Sequence, residues 1–213
     1  MQNPFMLFPA IARKFVQLLI RLPYFRFIRH TQNTDISISF NTWFFQKVIG
    51  INRSAYWPMH HSSIAGNVKN VSLGVNTFPG INPGCYIHAV NKIYIGDYTQ
   101  FGPNTGILSG NHNYYDFREQ TNNDPIRIGN YCWIGMNAVI LPGVTLGDFT
   151  VVAAGAVVTH SFPEGKCIIA GVPAKKVKDL EADKCIPFEM KYKFNGYIEH
   201  PKFEKYRKTK LNI

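Results

Sequence analysis

IGNYCWIGMNAVILPGVTLGDFTVVAAGAVVT, residues 128–159, decides how the chain is read. Six-residue steps from Ile128 land on Ile134, Ile140, Leu146, Val152 and Val158, all aliphatic. With aliphatics at about a fifth of an ordinary chain, such a run arises by chance on the order of once in ten thousand. The next slot reads Gly129, Gly135, Leu141, Gly147, Ala153 and Thr159. The fourth slot after the aliphatic reads Cys132, Ala138, Val144, Thr150, Ala156 and Phe162, so only the last copy is frayed.

The same rhythm extends upstream through Ile95, Phe101 and Ile107, then Ile81, Ile87 and Ile93, with an isolated copy at Leu73-Gly74. Neither a helix nor an ordinary strand has a period of six. A short strand followed by a tight turn does. Each hexad then forms one side of a triangular coil, its aliphatic residue inward and its small residue leaving room for the bend. Pro83-Gly84, Pro103-Asn104 and Pro142-Gly143 supply turn chemistry at fixed places in the unit. The sequence therefore predicts an all-β solenoid of stacked parallel sheets.

Three regions follow. Residues 1–55 form an N-terminal helical extension, 56–177 the repeat region with an inserted loop at 113–127, and 178–213 a short C-terminal tail. Ile11, Phe15, Leu18, Leu19 and Leu22 fall on helical spacing before Pro23, with Arg13, Lys14, Arg21, Arg26 and Arg29 nearby. A basic amphipathic helix can pack on the repeat or a partner subunit, which is the first expectation, or make peripheral contact with a membrane. Trp43, Phe44 and Phe45 beside Val48 and Ile49 predict a second helix or a cap over the open coil end. The tail interleaves lysines with Phe188, Tyr192, Phe194, Tyr197, Phe203 and Tyr206. Acidic residues dilute that pattern and no RNA-binding signature is present, so it is read as packed, with no nucleic acid partner.

The chain has 213 residues, 46% of them hydrophobic and 17% charged, enough for a packed core and unlike a disordered chain. A formal charge of +10 points to anionic partners without choosing among them. Cys85, Cys132, Cys167 and Cys185 are widely spaced with no CxxC pair, and are expected to be reduced, buried thiols of a cytoplasmic protein. No signal peptide and no membrane span are read from the sequence.

Residues 95–107 and 128–177 resemble the hexapeptide-repeat acyltransferases, in particular the branch of sugar O-acetyltransferases and xenobiotic acetyltransferases. The resemblance implies a left-handed parallel β-helix, a homotrimer with active sites between subunits, and acetyl-CoA as co-substrate without a metal. In that branch an Asn-His pair in the break of the repeat carries the catalytic histidine. The break here contains SGNHNYYDFRE, which makes His112 the expected general base. Asn111, Tyr114 and Tyr115, together with Asn104 of FGPNTG, are expected to meet the acceptor. The backbone N–H of Met136 stands where the family has its oxyanion donor.

Trp133 of CWIG matches a tryptophan of the acetyl-CoA channel, and Gly135, Ala153, Ala154 and Gly155 would let pantetheine approach the coil edge. Lys175, Lys176 and Lys178 follow IAGVPA and are expected at the CoA phosphates, helped by Lys166. One departure is His160, where family members commonly carry Lys or Arg after VVT. The group that orients His112 stays open between Asp97 and Asp116.

The expected function is O-acetyl transfer to a saccharide, such as a surface polysaccharide or its precursor. A xenobiotic acceptor, another acyl-CoA donor and a non-enzymatic scaffold are the alternatives. Zinc-dependent hydration of carbon dioxide, run on the same fold by the gamma carbonic anhydrases, needs a close pair of histidines. Position 117 is Phe, and His88 is too distant from His112 to replace that pair.

Overall fold

A computed structural model describes residues 10–120 and 124–213. The repeat begins with short strands β1 (Ile64–Gly66), β2 (Val71–Leu73), β3 (Tyr86–His88), β4 (Ile93–Ile95), β5 (Gln100–Phe101) and β6 (Gly106–Leu108). After the inserted loop come β7 (Ile126–Ile128), β8 (Trp133–Ile134), β9 (Val139–Ile140), β10 (Thr145–Leu146), β11 (Val151–Val152), β12 (Val157–Val158), β13 (Cys167–Ala170) and β14 (Lys175–Asp179). Sheet I has the order β1-β3-β6-β9-β12, sheet II β10-β7-β4-β2 and sheet III β14-β13-β11-β8-β5. From β4 to β12 the chain visits sheets II, III and I in rotation.

The hexad register is the pairing register. Ile128 pairs with Leu146, Ile134 with Val152 and Ile140 with Val158, each parallel and three hexads on. Ile95, Phe101 and Ile107 pair across the insertion with Ile128, Ile134 and Ile140. The aliphatic slot is buried from Ile87 to Val158, with Ile134 and Ile140 at 0% exposure. Each such side chain contributes roughly 1.5–3 kcal/mol of burial. Of the frayed copy, Phe162 still bridges Leu146 in parallel.

The other slots earn their composition at the corners between sheets. A Cβ on Gly135 would sit 2.6 Å from the Ala154 nitrogen, so that slot must stay bare where neighbouring rounds touch. In the fourth slot, Thr99, Thr105 and Thr150 are buried and donate to the carbonyls of Gly129, Gly102 and Gly147 at 2.7–2.8 Å. From sheet II to sheet III a carboxylate–amide ladder climbs the corner. Asp97 Oδ1 accepts from Val75 N, Asn130 Oδ1 from Asp97 N and Asp148 Oδ1 from Asn130 N, at 2.6–2.8 Å. Tyr98, Tyr131 and Phe149 stack beside it, all with positive φ.

Before the repeat lie α1 (Ala10–Leu19), α2 (Arg26–Thr31) and α3 (Phe40–Trp43), the last running on as a π-helical turn over Phe44–Ile49. One helix thus precedes Pro23, and a second helical segment holds Trp43, Phe44 and Phe45. Phe25, Phe27, Ile36, Ile38 and Phe40 join one core with Trp57 and Met59. The buried Gln46 amide donates to the Ala55 and Trp57 carbonyls at 3.2 and 2.8 Å, tying this cap to the first round.

After β14 come β15 (Phe194–Asn195), β16 (Ile198–Glu199) and α4 (His200–Lys210). The tail is packed. Asn195 Nδ2 donates to the Leu73 carbonyl at 2.8 Å and Asn212 N to the Lys69 carbonyl at 2.8 Å, so the tail returns to the first round.

Two boundaries and the burial of one cysteine differ from expectation. The inserted loop ends at Pro125 rather than 127, because Ile126 is fully buried in β7. The tail boundary at 178 falls inside β14, which pairs antiparallel with β13. Cys185 is half-buried, unlike the other three cysteines. Residues 1–9 of the N-terminal extension and 121–123 of the loop lie outside the described residues.

Candidate active site

Ser109 fixes the root of the inserted loop where the chain leaves sheet I. It is fully buried, its hydroxyl donates to the His88 and Asn91 carbonyls at 3.0 and 2.9 Å, and its oxygen accepts from Asn91 N. Beyond it the chain forms a hairpin. His112 bridges Gln120 antiparallel, and Asn113 N donates to the Glu119 carbonyl at 2.8 Å. Asp116 and Arg118 pair at the tip, 2.7 Å apart.

Within this hairpin His112 Nδ1 lies 2.6 Å from the Phe117 carbonyl oxygen. A carbonyl only accepts, so Nδ1 carries a proton, and Nε2 is the nitrogen left to exchange one. No other hydrogen bond holds the ring among the described residues, and the side chain is exposed. Neither candidate aspartate orients it. Asp97 is spent on the corner ladder, and both Asp116 oxygens face Arg118, which holds the carboxyl below its ordinary range.

Met136 lies at the corner from sheet III to sheet I. The Gly135 and Asn137 amides on either side donate to the Val152 and Pro103 carbonyls at 2.8 and 3.0 Å. The Met136 N–H has no acceptor among the described residues, nor has that of Ala154 one round later. In the preceding round the slot is Pro103, which has no N–H at all. The coil therefore does not need this donor, and it is free for a ligand.

Trp133 projects from sheet III at 60% exposure, in one outward row with Gln100, Val151 and Ile168. It borders a cavity of about 260 Å³ shared with Tyr98, Tyr131, Phe149 and Phe188. At the next corner Ala153 is half-buried and Ala154 and Gly155 exposed, and a Cβ built on Gly155 would meet nothing within 4 Å. Lys175, opposite Ala170, opens β14 at the same end of sheet III. Lys176 follows, paired with Asp179 at 2.8 Å, while Lys178 stands opposite Ile168.

The remaining residues are placed elsewhere. His160, whose Nδ1 lies 2.6 Å from Thr159 Oγ1, sits beyond β12 at the exit of sheet I. Lys166 belongs to the corner between sheets II and III, its amide donating to the Asp148 carbonyl. Asn104 holds a left-handed corner at φ 57°, with its side-chain oxygen packed over Gly84. Asn111 is half-buried, and Tyr114 and Tyr115 are 81% and 99% exposed.

The chain thus divides the expected machinery. His112 and its loop spring from the exit edge of sheet I, while Met136, Ala153–Gly155 and Lys175 gather at the entry edge. No hydrogen bond or ring contact joins His112 to Trp133 or Asn104. One further signal is present in the sequence, the proline of FGPNTG in the slot of Met136.

The comparisons agree with this architecture. Residues 125–160 match the family described as bacterial transferase hexapeptide (six repeats). Galactoside O-acetyltransferase of Escherichia coli (strain K12) is 33% identical over 115 residues, covering 53% of this chain and 55% of that protein. The structure of a maltose O-acetyltransferase from Clostridium difficile 630 superposes with a TM-score of 0.52 at 25% identity, over 80% of this chain and 91% of that one. A galactoside acetyltransferase solved in complex with coenzyme A shares the fold, with a TM-score of 0.57 at 22% identity over 90% and 92% of the two chains. The chain spans about half the length of the curated relatives it matches. Its repeat region is similar to the hexapeptide-repeat acetyltransferases.

No helix among the described residues is long and apolar enough to cross a membrane. Nor do three His, Cys, Asp or Glu side chains converge there as a metal site would require.

Proposed function

We propose that this protein transfers the acetyl group of acetyl-CoA to a hydroxyl of a saccharide, with His112 as general base. The observation that carries this reading is the one-sided anchoring of the imidazole, Nδ1 held by the Phe117 carbonyl and Nε2 left free. A hydroxyl is a poor nucleophile at neutral pH, and a neutral imidazole can take its proton as the oxygen attacks the thioester carbonyl. The negative charge that develops on the carbonyl oxygen is met by the Met136 N–H. As the tetrahedral centre collapses the thiolate leaves, and the imidazolium returns the proton to it. No covalent enzyme intermediate is needed.

The likeness to galactoside and maltose O-acetyltransferases supports a saccharide acceptor, a surface polysaccharide or its precursor. Asn104, Asn111, Tyr114 and Tyr115 are assigned to it. Trp133, Gly135 and Ala153–Gly155 form the track for pantetheine. Lys175 and Lys176 receive the CoA phosphates, with Lys166 and His160 further along the surface. The separation of His112 from Met136 by the width of sheet I favours a trimer, with the base of one copy facing the free amide of the next. The family likeness also gives the left-handed sense of winding, and use of acetyl-CoA suits a cytoplasmic enzyme.

The test is release of free thiol from acetyl-CoA across a panel of saccharides and antibiotics, run beside His112→Ala. A turnover loss of about 10²–10⁴ on a saccharide supports the assignment. A variant as active as the parent removes it.

A further inference from the structure

Helix α1 has a wider apolar arc than the protein covers. Val16 and Ile20 are buried, at 4% and 8% exposure, and Leu19 packs against the core. Phe15, Leu18 and Leu22 remain 61%, 62% and 50% exposed, and Tyr24 just beyond is 64% exposed. At about 100° per residue, Phe15 and Leu18 share one stripe that the buried pair does not enter, and Leu22 and Tyr24 extend the exposed run in the turn beyond the helix. Lys14 and Arg21 are exposed along its polar edge.

The stripe is also rigidly presented. Arg29 Nη1 donates to the Ile20 and Leu22 carbonyls, closing the turn that continues α1. Arg13, Lys14, Arg21, Arg26 and Arg29 all precede the first acidic residue, Asp35. Arg26 is paired with Glu199, but no carboxylate pairs with Lys14 or Arg21 among the described residues.

We propose that α1 docks the protein on an anionic lipid surface. Phe15, Leu18, Leu22 and Tyr24 enter the boundary between headgroups and acyl chains, while Lys14 and Arg21 reach back to the lipid phosphates. Charge decides between this occupant and a second copy of the chain. With a formal charge of +10 another copy is itself cationic, in a ring as in a twofold pair, whereas an anionic headgroup layer complements Lys14 and Arg21.

The test is co-sedimentation of the full chain with vesicles of phosphatidylcholine alone and of phosphatidylcholine with phosphatidylglycerol. The parent is expected to sediment with the anionic vesicles and to remain largely in solution with the neutral ones. Phe15→Ser with Leu18→Ser should lower the partition constant on the order of a hundredfold. Lys14→Glu with Arg21→Glu should lower it about tenfold or more. Both variants alter exposed side chains outside the candidate active site, so thiol release with a soluble acceptor should be unchanged. A parent that ignores anionic vesicles, or a serine variant that binds them equally well, overturns the proposal. So does a serine variant whose assembly mass falls by light scattering while lipid binding is absent, because the stripe then belongs to a second copy.

Discussion

The imidazole of His112 is oriented by a backbone carbonyl of its own hairpin, that of Phe117, at 2.6 Å from Nδ1. Many catalytic histidines lean instead on a carboxylate, and the two arrangements respond differently to mutation. Asp116→Asn weakens only the exposed pair with Arg118 at the hairpin tip. It should cost no more than a few-fold in kcat, with KM for acetyl-CoA unchanged, whereas loss of an orienting carboxylate can cost about 10⁴. Steady-state kinetics of Asp116→Asn beside His112→Ala tell the two apart, and a collapse in the first would show that the carbonyl does not suffice.

Proline should be tolerated at position 136, since Pro103 occupies that slot one round earlier. Met136→Pro deletes a single N–H, and if that group receives the oxyanion, kcat should fall about 10²–10³ with little change in melting temperature. Met136→Ala keeps the amide and should stay close to the parent. Equal activity in both variants would remove the oxyanion role.

If the base of one copy serves the amide of the next, His112→Ala and Met136→Pro should complement each other. Co-refolded mixtures would then regain up to about a quarter of parental activity, the share of intact sites in randomly mixed closed rings. Two inactive proteins that stay inactive after mixing, with mixed assembly verified by mass, would place the whole site within one chain.

Ile134 is fully buried between Phe101 and Val152, on an interior strand of its sheet. Ile134→Ala should destabilise by about 2–5 kcal/mol, because stacked neighbours above and below limit collapse into the cavity. Chemical denaturation measures it, and a loss under about 1 kcal/mol would contradict the packed interior.

Cys132 gives the fold a pH dependence on the alkaline side. Burial pushes its thiol up from an ordinary 9.0 to about 11, and its sulfur sits 3.3 Å from the Gly147 carbonyl. The folded chain therefore holds the proton more tightly than the unfolded one. Stability from this thiol is complete below about pH 9 and drains away as pH climbs toward about 11. Unfolding measured across that window should show a shallower decline for Cys132→Ala than for the parent. Parallel declines would mean that the thiol titrates normally.

The repeat was legible because one slot in six must be aliphatic and the next must be small at the corners that enter and leave sheet III. Both demands are steric and local, so Ile128 to Val158 announces them without help. The limit of the inserted loop was less so, since Ile126 reads as loop until its burial under sheet II is seen. His112 is singled out by its neighbours in the break. Its orienting group was sought among carboxylates, although a backbone oxygen has no letter of its own in a sequence. Asn104 has two demands on it, acceptor contact and left-handed backbone, and its sequence context cannot separate them. The division of the site across sheet I is a property of winding, which single-residue patterns do not record.

The return of the tail to the first round has a mechanical consequence. An open stack of repeats can fray from an end, because each round touches only its neighbours. Here Asn195 and Asn212 latch the last segment onto Leu73 and Lys69, far away along the chain. Peeling either terminus then breaks contacts at the other, so the stack should melt as one cooperative unit.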